Sequence, residues 1–192
     1  MNPKIMTDEE LVEVVRSKDK ELFFEVVNRY QNKIFAYITR LVGDRSEAED
    51  LTQEVFIKVY KNLFGFDVKR KFSSWIYRIA HNESVNYLKK KSYFRVLSIE
   101  QNEFLKNTMT STENLIEKII QKESSKKIKE LLGKLSFKYK EVLILRYFEE
   151  KSYEEIGDIT RRPVSTVGTM INRAKSQLEK IMKDEGVKLS NL

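Results

Sequence analysis

The sequence predicts an all-α protein in which two small helical domains are joined by a linker. Apolar residues recur at spacings of three and four through most of the chain, and no stretch alternates as a half-buried β-strand would. The pattern Ser/Thr-x-x-Glu, which caps helix N-termini, occurs three times before apolar runs. With 192 residues, 6 glycines and 2 prolines, the chain fits two small domains and not a fibrous or proline-rich class.

The first two predicted helices open the N-terminal domain, which we assign to residues 1–92. Thr7-x-x-Glu10 is a capping box that begins a helix extending to about Val15. The next helix carries apolar residues at helical spacing over 22–41, and Gly43 ends it.

Two longer helices complete this predicted domain. Ser46-x-x-Glu49 is a second capping box, and its helix extends to about Phe64. Residues 65–71 form a break, because they combine a glycine with a run of charges. The helical pattern resumes at Ser73 and continues to about residue 90.

Residues 93–112 are predicted to be a linker, because periodicity fades there into Ser, Thr, Asn and Gln. The predicted C-terminal domain covers residues 113–192. Its first two helices extend over 113–134 and 136–148.

The remaining elements have the layout of a helix-turn-helix. Ser152-x-x-Glu155 caps a short helix that ends near Thr160, and Arg161 and Arg162 form a tight connection. Pro163 fits the first position of a longer helix, where its missing N–H costs nothing.

Composition excludes several classes of function. The chain has no cysteine, which removes disulfides and thiolate metal sites and fits a reducing compartment. Its only histidine, His81, has no nearby motif for a nucleophile or a metal, so we expect no catalytic residue, no metal site and no cofactor. No apolar run approaches a membrane span, and the acidic N-terminus does not resemble a signal peptide. We therefore expect a soluble, cytoplasmic protein that is not inserted into the membrane.

Two basic segments favour a nucleic-acid partner. The net charge is +7, and residues 65–99 carry eight basic and two acidic side chains, a net +6. Residues 161–192 carry seven basic and three acidic side chains, a net +4. A single basic run is usually a solvated face, but two separated runs in a basic protein favour a polyanion.

The last predicted helix separates an apolar side from a polar one. Val164, Val167, Ile171, Ala174, Leu178 and Ile181 share the first side. Ser165, Thr169, Asn172, Arg173 and Ser176 share the second. Hydroxyl, amide and guanidinium groups reach base edges and phosphates in a major groove, although many amphipathic helices also have a polar outer face.

The other basic segment combines a charged loop with a mixed helix stripe. Phe66 and Phe72 bracket the loop, and Trp75, Arg78, Asn82, Asn86 and Lys89 share one side of the following helix. Aromatic rings stack on unpaired bases, amides read base edges and cations hold phosphates, so this stripe could bind a single strand. Trp75 could equally belong to the core.

A third candidate surface lies on the helix that precedes this loop. Leu51, Val55, Phe56, Val59 and Leu63 share one side. The opposite side holds Asp50, Gln53, Glu54, Ile57 and Lys61. An isoleucine on an otherwise polar face is consistent with protein docking, although single exposed apolar residues are common.

Three segments resemble an alternative sigma factor of bacterial RNA polymerase, most closely the small extracytoplasmic-function (ECF) class of the sigma-70 family. They are EAEDLTQEVFIKVYKNLFGF, KFSSWIYRIAHNESVNYLKKK and YKEVLILRYFEEKSYEEIGDITRRPVSTVGTMINRAKSQL, and their order and spacing match the family. The resemblance covers about residues 9–182.

The resemblance implies a sigma-2 domain that docks on core polymerase and captures the −10 element. The docking residues, which would meet the β′ clamp helices, would be Asp50, Gln53, Glu54, Ile57, Lys58 and Lys61. The −10 residues would be Phe66, Asp67, Val68, Lys69, Arg70, Lys71, Phe72, Trp75, Arg78, Asn82, Asn86, Lys89, Lys90 and Lys91.

The resemblance also implies a sigma-4 domain, which would meet the β flap and the −35 element. Its DNA-contacting residues would be Arg161, Arg162, Ser165, Thr166, Thr169, Asn172, Arg173 and Lys175. The linker would thread toward the polymerase active-site cleft. An anti-sigma factor is a further implied partner.

One departure concerns the −35 helix. After Pro-Val-Ser-Thr-Val the family usually has a basic residue followed by Ser-Arg, whereas this chain has Gly168, Thr169 and Met170. Two expected cations are therefore absent, which suggests an altered or weaker −35 preference. A free-standing helix-turn-helix regulator is the alternative, but it leaves the Asp50 face and the basic loop unexplained. A structural RNA-binding protein could use the basic stripe without needing a helix-turn-helix.

Overall fold

The all-α prediction is confirmed in a computed structural model that describes residues 3–93 and 126–186. These parts contain eight α-helices and no strand. The helices are α1 (Asp8–Ser17), α2 (Phe23–Val42), α3 (Arg45–Asn62), α4 (Phe72–Tyr93), α5 (Lys126–Gly133), α6 (Phe137–Leu143), α7 (Tyr153–Thr160) and α8 (Val164–Asp184). Short 3-10 turns lie at Pro3–Ile5, Lys20–Leu22 and Leu63–Gly65. No helix in the described residues is long and apolar enough to cross a membrane.

The chain forms two compact units, one built around α1–α4 and the other around α5–α8. The proposed domain limits at residues 92 and 113 stay a prediction, and the linker 93–112 lies outside the described residues apart from Tyr93, which ends α4. The predicted helix from 113 to 134 is described only from residue 126.

In the N-terminal unit, α2 packs on α3 and α4, α3 packs on α4, and α1 packs across α2 and α4. The repeated apolar positions of the sequence supply the core. Its members include Leu11, Val15, Ile34, Tyr37, Ile38, Val55, Val59, Leu63, Ile76 and Ala80. Tyr37 and Tyr77 contribute the largest buried pair, with ring centroids 5.2 Å apart.

Helix boundaries in this unit follow the capping signals with one exception. Thr7 and Glu10 form the predicted capping box, and Gly43 ends α2 with φ 82°, a left-handed conformation that glycine adopts at little cost. The box predicted at Ser46 is wrong. Asp44 caps α3 instead, because its carboxylate accepts from the amides of Ser46 and Glu47 one residue after the glycine.

A partly buried polar contact ties α1 to α2. The hydroxyl of Tyr30 donates to the carboxylate of Asp8, and the guanidinium of Arg29 donates to the same carboxylate at 2.7 Å. Burial and then the hydrogen bond to Asp8 raise the pKa of Tyr30 well above its usual range, so its hydroxyl stays protonated and continues to donate.

The C-terminal unit packs α5 and α6 against α8. Its core includes Leu131, Val142, Leu145, Ile156, Ile159, Val167, Ile171, Ala174 and Leu178. The single helix predicted for 136–148 is instead α6 followed by a π-helical segment at Ile144–Phe148.

Two details of α8 differ from the sequence prediction. Pro163 is the N-cap and not the first helical residue, because its ψ of 144° is extended. Val164, which the helical wheel placed on the packed side, is 43% exposed at the first turn. Ile181 is half-buried, and Met182 is buried at the end of that side.

Replacing Tyr30 with Phe keeps the ring and removes only the hydroxyl. We expect the free energy of unfolding of the N-terminal unit to fall by about 1.5–3 kcal/mol, because the lost hydrogen bond is made to a carboxylate. Urea unfolding followed by the fluorescence of Trp75, the single tryptophan of the chain, measures this unit. Tyr87→Phe is the matched control, since the Tyr87 hydroxyl accepts an exposed hydrogen bond from Lys91. Equal stability of Tyr30→Phe and wild type would contradict a stabilising role for the hydrogen bond from Tyr30 to Asp8.

Candidate nucleic-acid and protein interfaces

The connection between α7 and α8 has the tight geometry of a helix-turn-helix. Ser152 and Glu155 form the predicted capping box at the start of α7. A Cβ added at Gly157 would lie 2.8 Å from the carbonyl oxygen of Arg162, so only glycine permits this approach of the turn to α7. Arg161 ends α7 with φ 56° and ψ 45°, a left-handed conformation that is uncommon for a residue with a side chain.

The two arginines of the turn have different environments. Arg161 is exposed, as expected for a group that meets phosphates. Arg162 instead donates to the carboxylate of Glu141 on α6, whose side chain is fully buried. The prediction that Arg162 faces DNA is therefore corrected: its guanidinium neutralises a buried carboxylate and holds the turn on α6.

The polar side of α8 is open to solvent along its first three turns. Ser165, Thr166, Thr169, Asn172 and Arg173 are all exposed. The hydroxyl of Thr169 donates to the carbonyl of Ser165 at 3.0 Å, which leaves its oxygen lone pairs facing outward. This side of the helix can therefore present an amide, a guanidinium and hydroxyl oxygens to a groove.

Lys175 is a second correction on this helix. The family resemblance assigned it to the DNA-contacting residues, but it is only 5% exposed. Its ammonium lies 5.6 Å from the ring centroid of Tyr147, a cation–π arrangement inside the unit. Lys175 lies four residues after Ile171 and three before Leu178, so helical spacing already places it on the apolar side, and only the resemblance assigned it to DNA.

The glycine that departs from the family pattern is accommodated without a break. Helix α8 continues through Gly168, and an added Cβ there would lie 3.6 Å from the ring of Tyr153, an ordinary contact. Met170 is half-buried. Gly168 and Met170 thus continue the helix without supplying the two cations that the family usually has in this segment.

The basic loop of the N-terminal unit has a defined turn. The amide of Lys69 donates to the side chain of Asp67 at 3.0 Å, and the amide of Arg70 donates to the backbone carbonyl of Asp67 at 2.9 Å. Asp67, Lys69, Arg70 and Lys71 are exposed, and Val68 is half-buried. The loop thus presents three cations on a backbone that its own aspartate orders.

Phe66 and Phe72, which the resemblance assigned to contacts with the −10 element, do not face solvent. They are 3% and 1% exposed, because they pack into a cluster with Tyr30 and Trp75. The ring centroids of Phe66 and Phe72 are 5.5 Å apart, and Phe72 lies 5.6 Å from Tyr30. We call these four residues the aromatic cluster. The two phenylalanines therefore anchor the loop and are not available to stack on bases.

Trp75, which the sequence allowed either in the core or on the DNA-facing stripe, is partly buried and partly exposed. Its ring lies 5.1 Å from Phe66 and 5.6 Å from Phe72, yet the residue remains half-exposed. One part of the indole packs in the aromatic cluster while the rest borders the loop. Trp75 is therefore partly covered and keeps some aromatic surface at the edge of the aromatic cluster.

The rest of the predicted stripe becomes more exposed toward the end of α4. Arg78 and Asn82 are half-buried, whereas Asn86, Lys89, Lys90 and Lys91 are exposed. Lys91 donates to the hydroxyl of Tyr87 at 2.9 Å, which raises the pKa of its ammonium. Lys89, Lys90 and Lys91 thus form a cationic end of α4.

Helix α3 shows the two predicted sides. Asp50, Gln53, Glu54, Ile57 and Lys61 are exposed, and Ile57 is 47% exposed. Lys58 is half-buried, and its ammonium pairs with Glu83 on α4 and with Glu54 at 3.5 Å. The hydrogen bond to Glu83 raises the pKa of Lys58, and this ion pair ties α3 to α4.

Sequence reasoning missed three groups at these surfaces. Glu141 lies at the base of the turn, and Glu9 and Arg16 of α1 contact the two ends of the basic loop. Their partners are 21, 63 and 50 residues away in the chain. Glu141 carries a usable signal, since a carboxylate within an apolar helical stretch requires a partner.

The comparisons with known proteins agree with this layout. The family description Sigma-70 region 2 matches residues 26–93, and Sigma-70, region 4 matches residues 125–178. The ECF RNA polymerase sigma factor SigW of Bacillus subtilis (strain 168) is 36% identical over 180 residues, which cover 90% of this chain and 95% of SigW.

Two solved structures share the fold. CnrH in complex with the cytosolic domain of CnrY gives a TM-score of 0.66 at 21% identity, covering 92% of this chain and 97% of that one. The sigma factor RpoE in complex with the anti-sigma factor NepR from Bartonella quintana gives 0.63 at 21% identity, covering 84% and 96%.

Substituting the two arginines of the turn one at a time tests whether only Arg162 stabilises the C-terminal unit. Arg162→Ala should lower the stability of the C-terminal unit by about 3 kcal/mol, because Glu141 is left buried and unpaired. Arg161→Gly should keep or raise it by about 1 kcal/mol, because glycine adopts the left-handed conformation without strain.

Amide hydrogen exchange in peptides from α6 and α8 measures both effects in the full chain. Faster exchange is expected for Arg162→Ala alone. The opposite ranking of the two variants would contradict the different roles assigned to these neighbours.

Proposed function

We propose which residues of this chain dock on RNA polymerase and which contact the promoter. The chain belongs to the ECF class of the sigma-70 family of RNA polymerase sigma factors. As a sigma factor it binds core RNA polymerase and directs initiation at promoters. The observation that carries the proposal is that the exposed polar side of α8 and the exposed basic loop with α4 lie in separate units. Two separate units suit a promoter with two separate elements.

The docking surface is the exposed side of α3. Asp50, Gln53 and Glu54 offer carboxylates and an amide, and Ile57 supplies the apolar centre that protein interfaces need. Lys61 extends the surface toward the helix end. This face would meet the clamp helices of the polymerase β′ subunit, while the Lys58–Glu83 pair fixes α3 against α4.

The −10 surface is the basic loop together with the outer side of α4. Lys69, Arg70 and Lys71 hold phosphates of the non-template strand, and the half-exposed Trp75 borders the position of an unstacked base. Asn82 and Asn86 read base edges along α4, and Lys89–Lys91 follow the strand. Since unstacked bases are bound, this binding energy offsets part of the cost of opening the duplex.

The −35 surface is the start of α8 with Arg161. Ser165, Thr166, Thr169, Asn172 and Arg173 enter the major groove, and Arg161 meets a phosphate at the turn. The surface carries two cations, Arg161 and Arg173. We therefore expect a −35 element that is read mainly through hydrogen bonds and DNA shape.

The chain performs no chemistry of its own in this account. It lends specificity to the polymerase, whose active site makes the RNA, and the β flap is the expected support for the C-terminal unit. We propose that it acts in the cytoplasm and that an anti-sigma factor covers its surfaces, since similar folds are known in complexes with such partners. A free-standing helix-turn-helix regulator is not favoured, because it leaves the N-terminal surfaces without a role.

Transcription with purified components tests the function. The full chain is added to sigma-free bacterial core polymerase on a pool of genomic fragments from its source, and transcript 5′ ends are sequenced. Discrete start sites that share two upstream elements should appear only when the chain is present. Absence of specific initiation, together with absence of binding to core polymerase, would contradict the proposal and favour the free-standing regulator.

Substituting Ile57 with Asp tests the docking surface. We expect affinity for core polymerase to fall about 10- to 100-fold, because a charge would enter the apolar centre of an interface. Because Ile57 is 47% exposed, the fold should persist, and Trp75 fluorescence checks this. Ile5→Asp is the matched control, since Ile5 is 82% exposed and lies outside the proposed surface. Wild-type affinity for Ile57→Asp would contradict this docking surface.

A further inference from the structure

Helix α1 contacts both ends of the basic loop, residues 67–71. Arg16 donates through Nη1 to the carbonyl oxygen of Phe66 at 3.0 Å, immediately before the loop. Glu9 accepts through Oε1 from the amide of Phe72 at 2.8 Å, immediately after it. Both contacts are partly buried, and both hold backbone atoms.

The spacing of these two side chains suits the task. Glu9 and Arg16 are seven residues apart, which places them on the same side of α1 about two turns, or roughly 10 Å, apart. A rigid helix therefore sets the distance between the two ends of the loop. Glu9 also places a negative charge at the N-terminus of α4, where the helix dipole favours it.

Helix α1 is itself well fixed. Leu11 and Val12 are fully buried and Val15 is 2% exposed, so one side of the helix belongs to the core. Asp8 accepts hydrogen bonds from Arg29 and from Tyr30 of the aromatic cluster. The same helix thus connects the core, the aromatic cluster and the loop ends.

The loop needs such support because its charges oppose order. Lys69, Arg70 and Lys71 are consecutive and exposed, and their mutual repulsion favours loop conformations that separate them. A loop that is disordered before binding must lose that freedom when it captures DNA, and the affinity falls accordingly. Fixing both ends before binding reduces this loss.

We propose that Glu9 and Arg16 are positioning residues that preorganise the basic loop for unpaired promoter DNA. The proposal rests on the proposed −10 role of the loop. Neither side chain needs to touch DNA, so their removal should weaken promoter opening while leaving closed-complex binding and binding to core polymerase at wild-type levels.

The test uses the full chain with Glu9→Ala and Arg16→Ala. Glu13→Ala and Lys18→Ala are matched controls, because both residues are exposed and lie on or at the end of the same helix. Glu9→Gln, which keeps an acceptor oxygen, and Arg16→Lys, which keeps a donor, are the conservative variants. They also serve where an alanine variant does not fold, as judged by Trp75 fluorescence in urea.

Two readouts separate the proposal from the function on which it rests. Amide hydrogen exchange of a peptide covering residues 66–72 in the free chain measures loop order without DNA. Permanganate reactivity of −10 thymines and footprinting of the closed complex, both with core polymerase, measure opening and binding. The promoter comes from the start-site mapping with the wild-type chain, so failure of the proposed function is detected before any variant is made.

We expect each alanine variant to raise loop exchange about five- to tenfold and to lower the fraction of open promoter by a similar factor, with partial recovery in the conservative variants. The controls should match wild type in both readouts. Wild-type loop exchange in the alanine variants would overturn the proposal. So would faster loop exchange with normal opening, since loop order would then be irrelevant to DNA capture, and so would an equal loss in Glu13→Ala.

Discussion

The burial of Phe66 and Phe72 is the constraint on which the N-terminal surfaces depend. Two aromatic side chains that flank a run of cations would be expensive to leave in water, and each stabilises the fold by about 1.5–3 kcal/mol when it is buried. Their place in the aromatic cluster with Tyr30 and Trp75 fixes where the charged backbone leaves the core and where it returns. The loop between them is short and its ends are immobile. As a result, the segment that carries Lys69, Arg70 and Lys71 is anchored to the core on both sides.

The two units place their positively charged side chains in comparable ways. Each has exposed cations as well as a cation that is paired with a carboxylate of the same unit. In the C-terminal unit, Arg162 pairs with buried Glu141, which leaves Arg161 as the exposed cation of the turn. In the N-terminal unit, Lys58 pairs with Glu83, while the loop lysines stay outward. A charge count along the sequence treats these side chains alike, but their partners divide them into groups that support the fold and groups available to DNA.

The sequence was sufficient wherever the deciding interactions are local. Helical spacing and capping patterns located the helices, and the exposed sides of α3 and α8 agree with the helical wheels at Ile57 and Asn172.

The sequence was insufficient where a distant residue decides. The resemblance placed Phe66 and Phe72 among the DNA-contacting residues, but they are buried beside Tyr30, which lies far away in the chain. The resemblance also assigned Lys175 to DNA, although helical spacing places it beside Ile171 and Leu178 on the apolar side. The cap of α3 is the local exception, because Asp44 and Ser46 are both good caps and the chain uses Asp44, directly after Gly43. Glu9 and Arg16 were missed because their partners are backbone atoms, which no side-chain pattern reports.

The central claim is that α8 engages duplex DNA while the basic loop engages only DNA that has opened. Hydrogen-exchange mass spectrometry of the chain within the polymerase holoenzyme tests this directly, with promoter DNA at a temperature that blocks opening and again at one that permits it. We expect peptides from the start of α8 to be protected at both temperatures, and peptides covering residues 66–72 to gain protection only when the promoter opens. Full protection of the loop in the closed complex, or no protection in the open one, would contradict the account.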